Sequence, residues 1–353
     1  MFQKFWKDKT VLVTGHTGFK GSWLTLILSM MGAKVYGYAL APNTLEGIYN
    51  AARIDEIVQR SCIADIRNFD ELSSFIIDLE PDFVFHLAAQ PLVREAYEAP
   101  IPTFAINTMG TVNVLESIRR INKPTCIINV TTDKCYDNKE WVWPYRENDR
   151  LGGRDPYSAS KACSEFVTEA YKQSFFRQEN KYVATARAGN VIGGGDFSVD
   201  RLLPDIVKAY RQGNTIKIRN PNATRPWQHV FEPLVGYLVL AEKLSKHGSK
   251  YAEAWNFGPF EDGNKPVKWI LDRITERYLD FHWDKEKNAQ VHESQSLHLD
   301  SGKAKSELSW RPRWDLLESL DKTLLWYEAQ GRGDDMQIFS KNQIAAYLGA
   351  MEQ

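Results

Sequence analysis

The run Thr10-Val-Leu-Val-Thr14 leads without a break into Gly15-His-Thr-Gly18-Phe-Lys-Gly21 and then into residues 23–31, where Leu24, Ile27, Leu28 and Met31 recur at helical spacing. A β-like run, a glycine-spaced turn and an apolar-faced helix, in that order, constrain the fold strongly: the strand belongs in a parallel sheet with the helix packed back onto it. Glycines at 15, 18 and 21 allow the tight turn, let a pyrophosphate approach the backbone, and let the helix sit close to the strand. The helix start offers N–H groups and the positive end of its dipole to the phosphates. Candidate contacts to a dinucleotide are therefore Gly15, Thr17, Gly18, Phe19, Lys20 and Gly21. The plainer alternative is a strand–helix turn that binds nothing.

The alternation continues down the chain. Strands are predicted at Thr10–Thr14, Lys34–Tyr38, Phe83–His86, Cys126–Thr131 and Val183–Arg187, and helices at Trp23–Met31, Phe69–Leu79, Thr103–Ile121 and Tyr157–Phe176. Such a pattern implies an α/β fold, a Rossmann-type doubly wound parallel sheet covered on both faces. Phe83-Val-Phe-His86 is almost wholly apolar, as a doubly covered strand should be. Beyond Arg187 the pattern is interrupted by Gly193-Gly-Gly195, Pro204 and the loop-like run from Arg219 to Pro226. The expected division is an NAD-binding domain over 1–190 with a returning segment at 228–258, and a smaller mixed α/β C-terminal domain over 191–353 that binds the substrate. A chain of 353 residues, 43% of them hydrophobic, has material for both cores.

Lys+Arg 44 against Asp+Glu 45 gives a net charge of -1, so no global basic surface argues for nucleic acid, and a small-molecule partner is expected. Cys62, Cys126, Cys135 and Cys163 are scattered without a Cys-x-x-Cys pair, which argues against a disulfide framework or a metal site. The charged, aromatic stretch before Thr10 leaves no room for a signal peptide. The longest apolar stretch, around Trp23–Met31, falls short of the roughly 20 residues a membrane helix needs. A cytoplasmic protein without membrane attachment is expected.

The second strand ends Gly37-Tyr-Ala-Leu40, with neither the acid that would hold the adenosine ribose of NAD nor an arginine for a 2′-phosphate. NAD is preferred to NADP. Further candidate cofactor contacts are Asp65 and Ile66 after a presumed additional strand between Lys34–Tyr38 and Phe83–His86, Leu87-Ala88-Ala89 after Phe83–His86, and Thr131 and Arg187 at the ends of later strands.

Tyr157 and Lys161 stand four residues apart, on one face of a predicted helix. There Lys161 can lower the phenol pKa so that Tyr157 takes a hydroxyl proton near neutral pH, as alcohol oxidation by a nicotinamide requires. Thr132 supplies a hydroxyl donor. Oxidation alone has no use for the adjoining Asp133 and Lys134, so a further proton transfer, elimination, is implied.

The glycine fingerprint, His86-Leu-Ala-Ala89, Asn107-Thr-Met-Gly-Thr111, Thr132, and Tyr157 with Lys161, in this order between about Thr10 and His229, resemble the extended short-chain dehydrogenase/reductase family. Within it the chain is similar to the nucleotide-sugar 4,6-dehydratases, which carry Thr-Asp-Glu where Thr132-Asp133-Lys134 stands here. That lysine, with Gly18-Phe-Lys-Gly-Ser-Trp23, Ala89-Gln-Pro-Leu-Val-Arg94 and Glu140-Trp-Val-Trp143, resembles the members that act on CDP-glucose. The resemblance implies a product, CDP-4-keto-6-deoxyglucose, destined for dideoxy sugars of bacterial surface polysaccharide. It implies Tyr157 as the base at O4, Asp133 as the acid at O6 and Lys134 in the C5 base position. An amine there acts as base if burial or Lys161 depresses its pKa, and otherwise stabilises the C5 enolate by its charge.

Candidate substrate contacts are Gln90, Arg94, Asn107, Asn190, Arg201 and Arg225, the last with a fixed fork suited to pyrophosphate. A surface arginine is the alternative for Arg201 and Arg225, and an ion-pair partner for Arg94. The family implies that Asn107 supports the proton network of the site. It also implies a homodimer, or a tetramer, built on the helices carrying Val112, Leu115 and Ile118 and Phe166, Val167 and Ala170. The rival readings are a 4-epimerase of the same family, which needs no Asp133 or Lys134, and a dinucleotide-sensing regulator, which needs no Tyr157 or Lys161.

Overall fold

The computed structural model of the chain describes residues 2–286 and 296–349. Seven strands form one parallel sheet: β1 (Thr10–Thr14), β2 (Lys34–Ala39), β3 (Arg60–Ile63), β4 (Phe83–His86), β5 (Cys126–Val130), β6 (Tyr182–Ala188) and β7 (Ala254–Phe257), in the order 3-2-1-4-5-6-7. Side chains alternate between the sheet's two faces, and both are apolar. Val11, Val13, Phe83, Phe85 and Ile128 join one buried cluster with Trp23, Leu24, Ile27 and Phe231, while Leu12, Val84 and Ile127 join another with Leu72, Ile76, Leu115 and Ile118. The chain runs from β1 outward to β2 and β3, then returns to β4 on the other side of β1. The crevice at the carboxyl ends of β1 and β4 is where such sheets bind ligands.

Beyond β6 the chain builds a second lobe from short paired strands. Ile216–Ile218 lies parallel to Trp283–Lys285, and Thr224–Pro226 antiparallel to Asn264–Pro266. The helices Leu202–Arg211, Val267–Arg277 and Leu316–Arg332 enclose a separate core that includes Leu203, Ile206, Trp227, Ile270, Ile274 and Leu320. Gly194 joins the lobes: Trp23 Nε1 donates to its carbonyl at 3.0 Å, and a Cβ there would stand 2.0 Å from the Trp326 ring.

A buried carboxylate fastens the last helix, Met336–Gly349, to the sheet layer. Glu232, at 0% exposure on the helix Phe231–His247, accepts from the backbone N–H groups of Arg313 and Trp314, each at 3.0 Å, and from the Tyr347 hydroxyl at 2.5 Å. Burial pushes its pKa up to about 7 against these donors. Glu232→Ala leaves two N–H groups and a phenol buried without an acceptor, and is expected to cost ~3 kcal/mol or more, read as a lowered midpoint in chemical denaturation.

The helix predicted over Thr103–Ile121 is present from Pro100 to Arg119 and winds as a π-helical turn at Ala105–Met109. The use expected of its apolar face is corrected by the fold. Leu115 and Ile118 are buried beneath the sheet rather than offered to a partner, whereas Phe166 is 59% exposed and Ala170 is exposed.

Candidate active site

Gly15 has φ +76°, and a Cβ on it would stand 2.8 Å from the Ala88 nitrogen; a Cβ on Gly21 would stand 2.1 Å from the Gly15 carbonyl oxygen. Only glycines therefore let the turn lie against the end of β4 and let the helix Phe19–Met30 start there. The cradle opens into a cleft of about 420 Å³ lined by Gly15, Thr17 to Gly21, Asp65, Ile66, Leu87 to Ala89, Thr131 to Lys134, Tyr157 and Lys161. Its shape and glycine floor fit an extended dinucleotide with its pyrophosphate at the helix start. A second cleft of about 480 Å³ extends between the lobes, lined by Arg94, Tyr136, Asn138, Arg219, Arg225 and Trp227 among others. Lys134, Asn190 and Arg201 line both.

At that seam β5 ends and Thr132 caps a short 3₁₀ turn, Asp133–Cys135, by accepting from the Lys134 N–H at 3.3 Å. The Thr132 hydroxyl donates to Asp133 Oδ1 at 3.1 Å. Asp133 is 2% exposed, and burial holds its pKa above the ordinary value against Lys134, Thr132, Arg225 and Lys20. The helix Pro156–Ser174 starts at Asp155, whose carboxylate accepts the Ser158 N–H at 2.9 Å, and presents Tyr157 and Lys161 on one buried face. Burial pushes the Tyr157 phenol up to about 12, with the Thr132 hydrogen bond and the Arg201 charge pulling it down. The expected lowering by Lys161 is not the local balance: Lys161 Nζ donates to the Val130 carbonyl at 3.2 Å, and burial pushes its own pKa down to about 8. Lys20 is likewise lowered to about 8 by burial and by Arg201, while Asp133 draws it up.

A family model described as GDP-mannose 4,6 dehydratase matches residues 12–323. The chain belongs to the GDP-mannose 4,6-dehydratase family. This dehydratase-family chain is 47% identical over 354 residues to the CDP-glucose 4,6-dehydratase of Salmonella typhimurium strain LT2, an alignment covering 99% of this chain and 98% of that protein. Two solved structures share its fold. One is the UDP-glucose-4-epimerase of Stenotrophomonas maltophila with bound NAD (TM-score 0.79, 19% identity, 92% of this chain and 99% of that one). The other is the dTDP-glucose 4,6-dehydratase of Bacillus anthracis in complex with NAD (TM-score 0.74, 21% identity, 93% and 99%).

Several residues singled out in the sequence lie behind the clefts of this dehydratase-family protein. Arg187 is a correction: it does not line the cofactor cleft but is buried in an ion pair with Glu165 at 2.8 Å, and also donates to the Tyr136 hydroxyl at 2.9 Å. The same carboxylate accepts from Thr131 and Thr185, so this network braces β5 and β6 beneath the site. Gln90 and Asn107 line neither cleft. Asn107 Oδ1 accepts the Gln90 N–H at 2.9 Å, and its Nδ2 donates to the Gln90 carbonyl at 3.0 Å and to Ser160 Oγ at 2.9 Å. The π-helical turn thus aims Asn107 at the loop after β4 and the Tyr157 helix, and holds the two together. Arg94 pairs with Asp200 at 3.1 Å on the wall of the second cleft, as does Arg219 at 3.4 Å. Asp65 is engaged by Arg67 at 2.6 Å, and that pairing holds its carboxyl below the usual range. His86 lies buried between Thr14 and Thr111. Gly189 was missed: a Cβ there would meet Asp133 Oδ2 at 3.2 Å and Pro226 Cγ at 2.6 Å. A glycine just past a strand end was its only signal. Arg219 was read as loop because nothing local distinguishes a cleft arginine from a surface one.

Proposed function

We propose that this chain is a CDP-glucose 4,6-dehydratase, converting CDP-D-glucose to CDP-4-keto-6-deoxy-D-glucose and water with NAD held in the glycine-floored cleft. The observation that carries the reading is the seam: Asp133 and Lys134 stand beside Thr132 and Tyr157 where the cofactor cleft meets the second cleft. The preference for the CDP sugar follows the relative of 47% identity. When bound, the oxidised nicotinamide supplies a cationic ring that favours phenolate at Tyr157 and an acceptor for two electrons from C4, returned later at C6. Tyr157 Oη takes the proton of the 4-hydroxyl while Thr132 Oγ1 holds that oxygen in place. The 4-ketone acidifies the C5 hydrogen, which Lys134 removes as a proton and gives back to C5 once C6 has been reduced. Asp133, whose pKa burial raises in the direction an acid needs, protonates the departing 6-hydroxyl. Lys161 orients the cofactor from the buried face it shares with Tyr157. Arg225, with Asn190 and Arg201, holds the diphosphate in the second cleft.

The protein acts in the cytoplasm, as an early step toward dideoxy sugars of surface polysaccharide. No helix among the described residues is long and apolar enough to cross a membrane. The exposed apolar residues Ile101, Phe104, Met109 and Phe166 suit a two-fold pairing of these helices into a homodimer. Incubation with CDP-glucose followed by mass analysis tests the function: loss of one water is expected, whereas an isomer of unchanged mass would mean epimerisation. Arg225→Ala is expected to raise KM by roughly 10- to 100-fold, the loss of a charged hydrogen bond to phosphate, with a smaller change in kcat. An unchanged KM would put the diphosphate elsewhere.

A further inference from the structure

With the sugar at Thr132 and Tyr157 and the diphosphate at Arg225, the nucleoside lies farther from the seam, along the second lobe. The wall there is built from the helix Leu202–Arg211 and the strand Ile216–Ile218. Leu203, Ile216 and Ile218 line the second cleft and pack together beneath it, an apolar surface on which a flat ring can lie. Two charged side chains line the same wall, Asp205 and Arg219. The helix starts at the seam with Arg201, and the Asp205 N–H closes its first turn on the Arg201 carbonyl at 3.0 Å, so Asp205 stands one turn farther out. Its carboxylate is half-buried. Burial and the Asp200 charge push its pKa up to about 6, while the Arg219 guanidinium opposes them. Among the described residues this carboxylate has neither a hydrogen bond nor an ion pair. Arg219 spends one long contact, Nη2 to Asp200 Oδ1 at 3.4 Å, and keeps further N–H groups to give.

A carboxylate without a partner, in a cleft that takes a diphosphate, opposes binding unless the ligand brings it a donor. Cytosine brings one. Its edge carries the N4 amino donor beside the N3 and O2 acceptors, whereas uracil and thymine turn the O4 acceptor to the same place and carry a hydrogen on N3. Asp205 and Arg219 are near enough for their charges to interact, yet they form no ion pair with each other, and between them they offer an acceptor and a donor. That is the complement of the cytosine edge. We propose that Asp205 and Arg219 select cytosine: Asp205 accepts from the N4 amino group, Arg219 donates to N3 or O2, and the ring lies against Ile216 and Ile218. Uracil or thymine would set O4 against the carboxylate, so the wall repels the wrong bases as well as bonding the right one. This assignment rests on the reading of the second cleft as the nucleotide-sugar site. It gives the preference for a CDP sugar a physical cause in the chain's own residues. The ribose hydroxyls are the other donors of the nucleoside, and a nucleotide lacking them separates the two sources.

Calorimetric titration of the NAD-loaded protein with CDP, UDP and 2′,3′-dideoxy-CDP reads this wall without any catalysis. The parent is expected to bind CDP roughly 10- to 100-fold more tightly than UDP, the discrimination that a well-matched pair of hydrogen bonds to a base supplies, and to bind the dideoxy nucleotide within a factor of a few of CDP. Asp205→Asn replaces the carboxylate by an amide that can donate to O4 and accept from the N3 hydrogen. It should bring the two affinities within a factor of a few of each other, through tighter UDP as well as weaker CDP, and a gain for UDP does not arise from a damaged fold. Arg219→Met should weaken CDP more than UDP, because only cytosine offers an acceptor at N3. An Asp205→Asn protein that keeps the parent's ratio, or weakens CDP and UDP alike, overturns the proposal. So does a loss of affinity in the dideoxy nucleotide as large as that caused by Asp205→Asn, which would assign the carboxylate to the ribose. Equal weakening of CDP and UDP by Arg219→Met overturns the share given to the guanidinium. Failure of the parent to dehydrate CDP-glucose would be a separate result, against the lyase reading, because nucleotide binding alone decides which base this wall accepts.

Discussion

Tyr157→Phe is expected to reduce turnover by about 10²- to 10⁴-fold, the usual contribution of a positioned proton acceptor, with cofactor and CDP-glucose binding nearly unchanged. The substitution removes one oxygen from a ring buried at the start of a well-capped helix, so packing survives. Only the atom that takes the O4 proton is lost. Stopped reactions of the variant should contain neither 4-keto sugar nor dehydrated product, while equilibrium binding of the nucleotide sugar stays within a factor of a few. Turnover close to the parent's would remove Tyr157 from the base role. Because burial and not a lysine dominates this phenol, the parent's acidic limb should also respond to Arg201→Gln, whose guanidinium opposes that burial.

Lys134→Ala is expected to separate oxidation from elimination. Electrons can leave C4 without any group acting at C5, whereas the C5 hydrogen becomes acidic only once C4 is a ketone. The variant should therefore make the 4-keto sugar, trapped as a C4-labelled alcohol when the quenched mixture is reduced with borodeuteride, yet lose water about 10²- to 10⁴-fold more slowly. Exchange of the C5 hydrogen with deuterated solvent should slow in step. Unimpaired C5 exchange with normal dehydration would leave Lys134 as no more than a wall of the two clefts it lines.

The fold was legible because its strands obey two simple periods. Val11 and Val13 against Leu12, and Phe83 and Phe85 against Val84, divide cleanly between two apolar faces, and an all-apolar strand has few other homes. The cofactor cradle was legible because glycine is the one residue whose absence of a side chain is visible in sequence, and Gly15 and Gly21 use that absence within 3 Å of backbone. The reactive group was legible from adjacency at Thr132 to Lys134 and from helical spacing at Tyr157 and Lys161. What escaped depends on partners distant in the chain. Arg187 at a strand end reads as a ligand contact until Glu165, 22 residues earlier, is found beside it. Asn107 reads as a proton-network residue on a regular helix, but the π-helical turn directs it to Gln90 and Ser160. Leu115 and Ile118 show an apolar stripe, and a stripe does not say whether a sheet or a second subunit covers it.

The clasp at Glu232 also bears on the order in which the protein can be made. Its acceptors sit on a helix laid against the sheet in mid-chain, but one of its donors, Tyr347, is translated more than a hundred residues later. A nascent chain that has completed every strand of the sheet still holds a carboxylate in an apolar layer without its phenol, and the aromatic stack of Phe231, Trp314 and Tyr347 stays open on one side. The sheet and its reactive turn can form on the ribosome, but the last helix acquires its grip on the sheet layer only when residue 347 has cleared the exit tunnel.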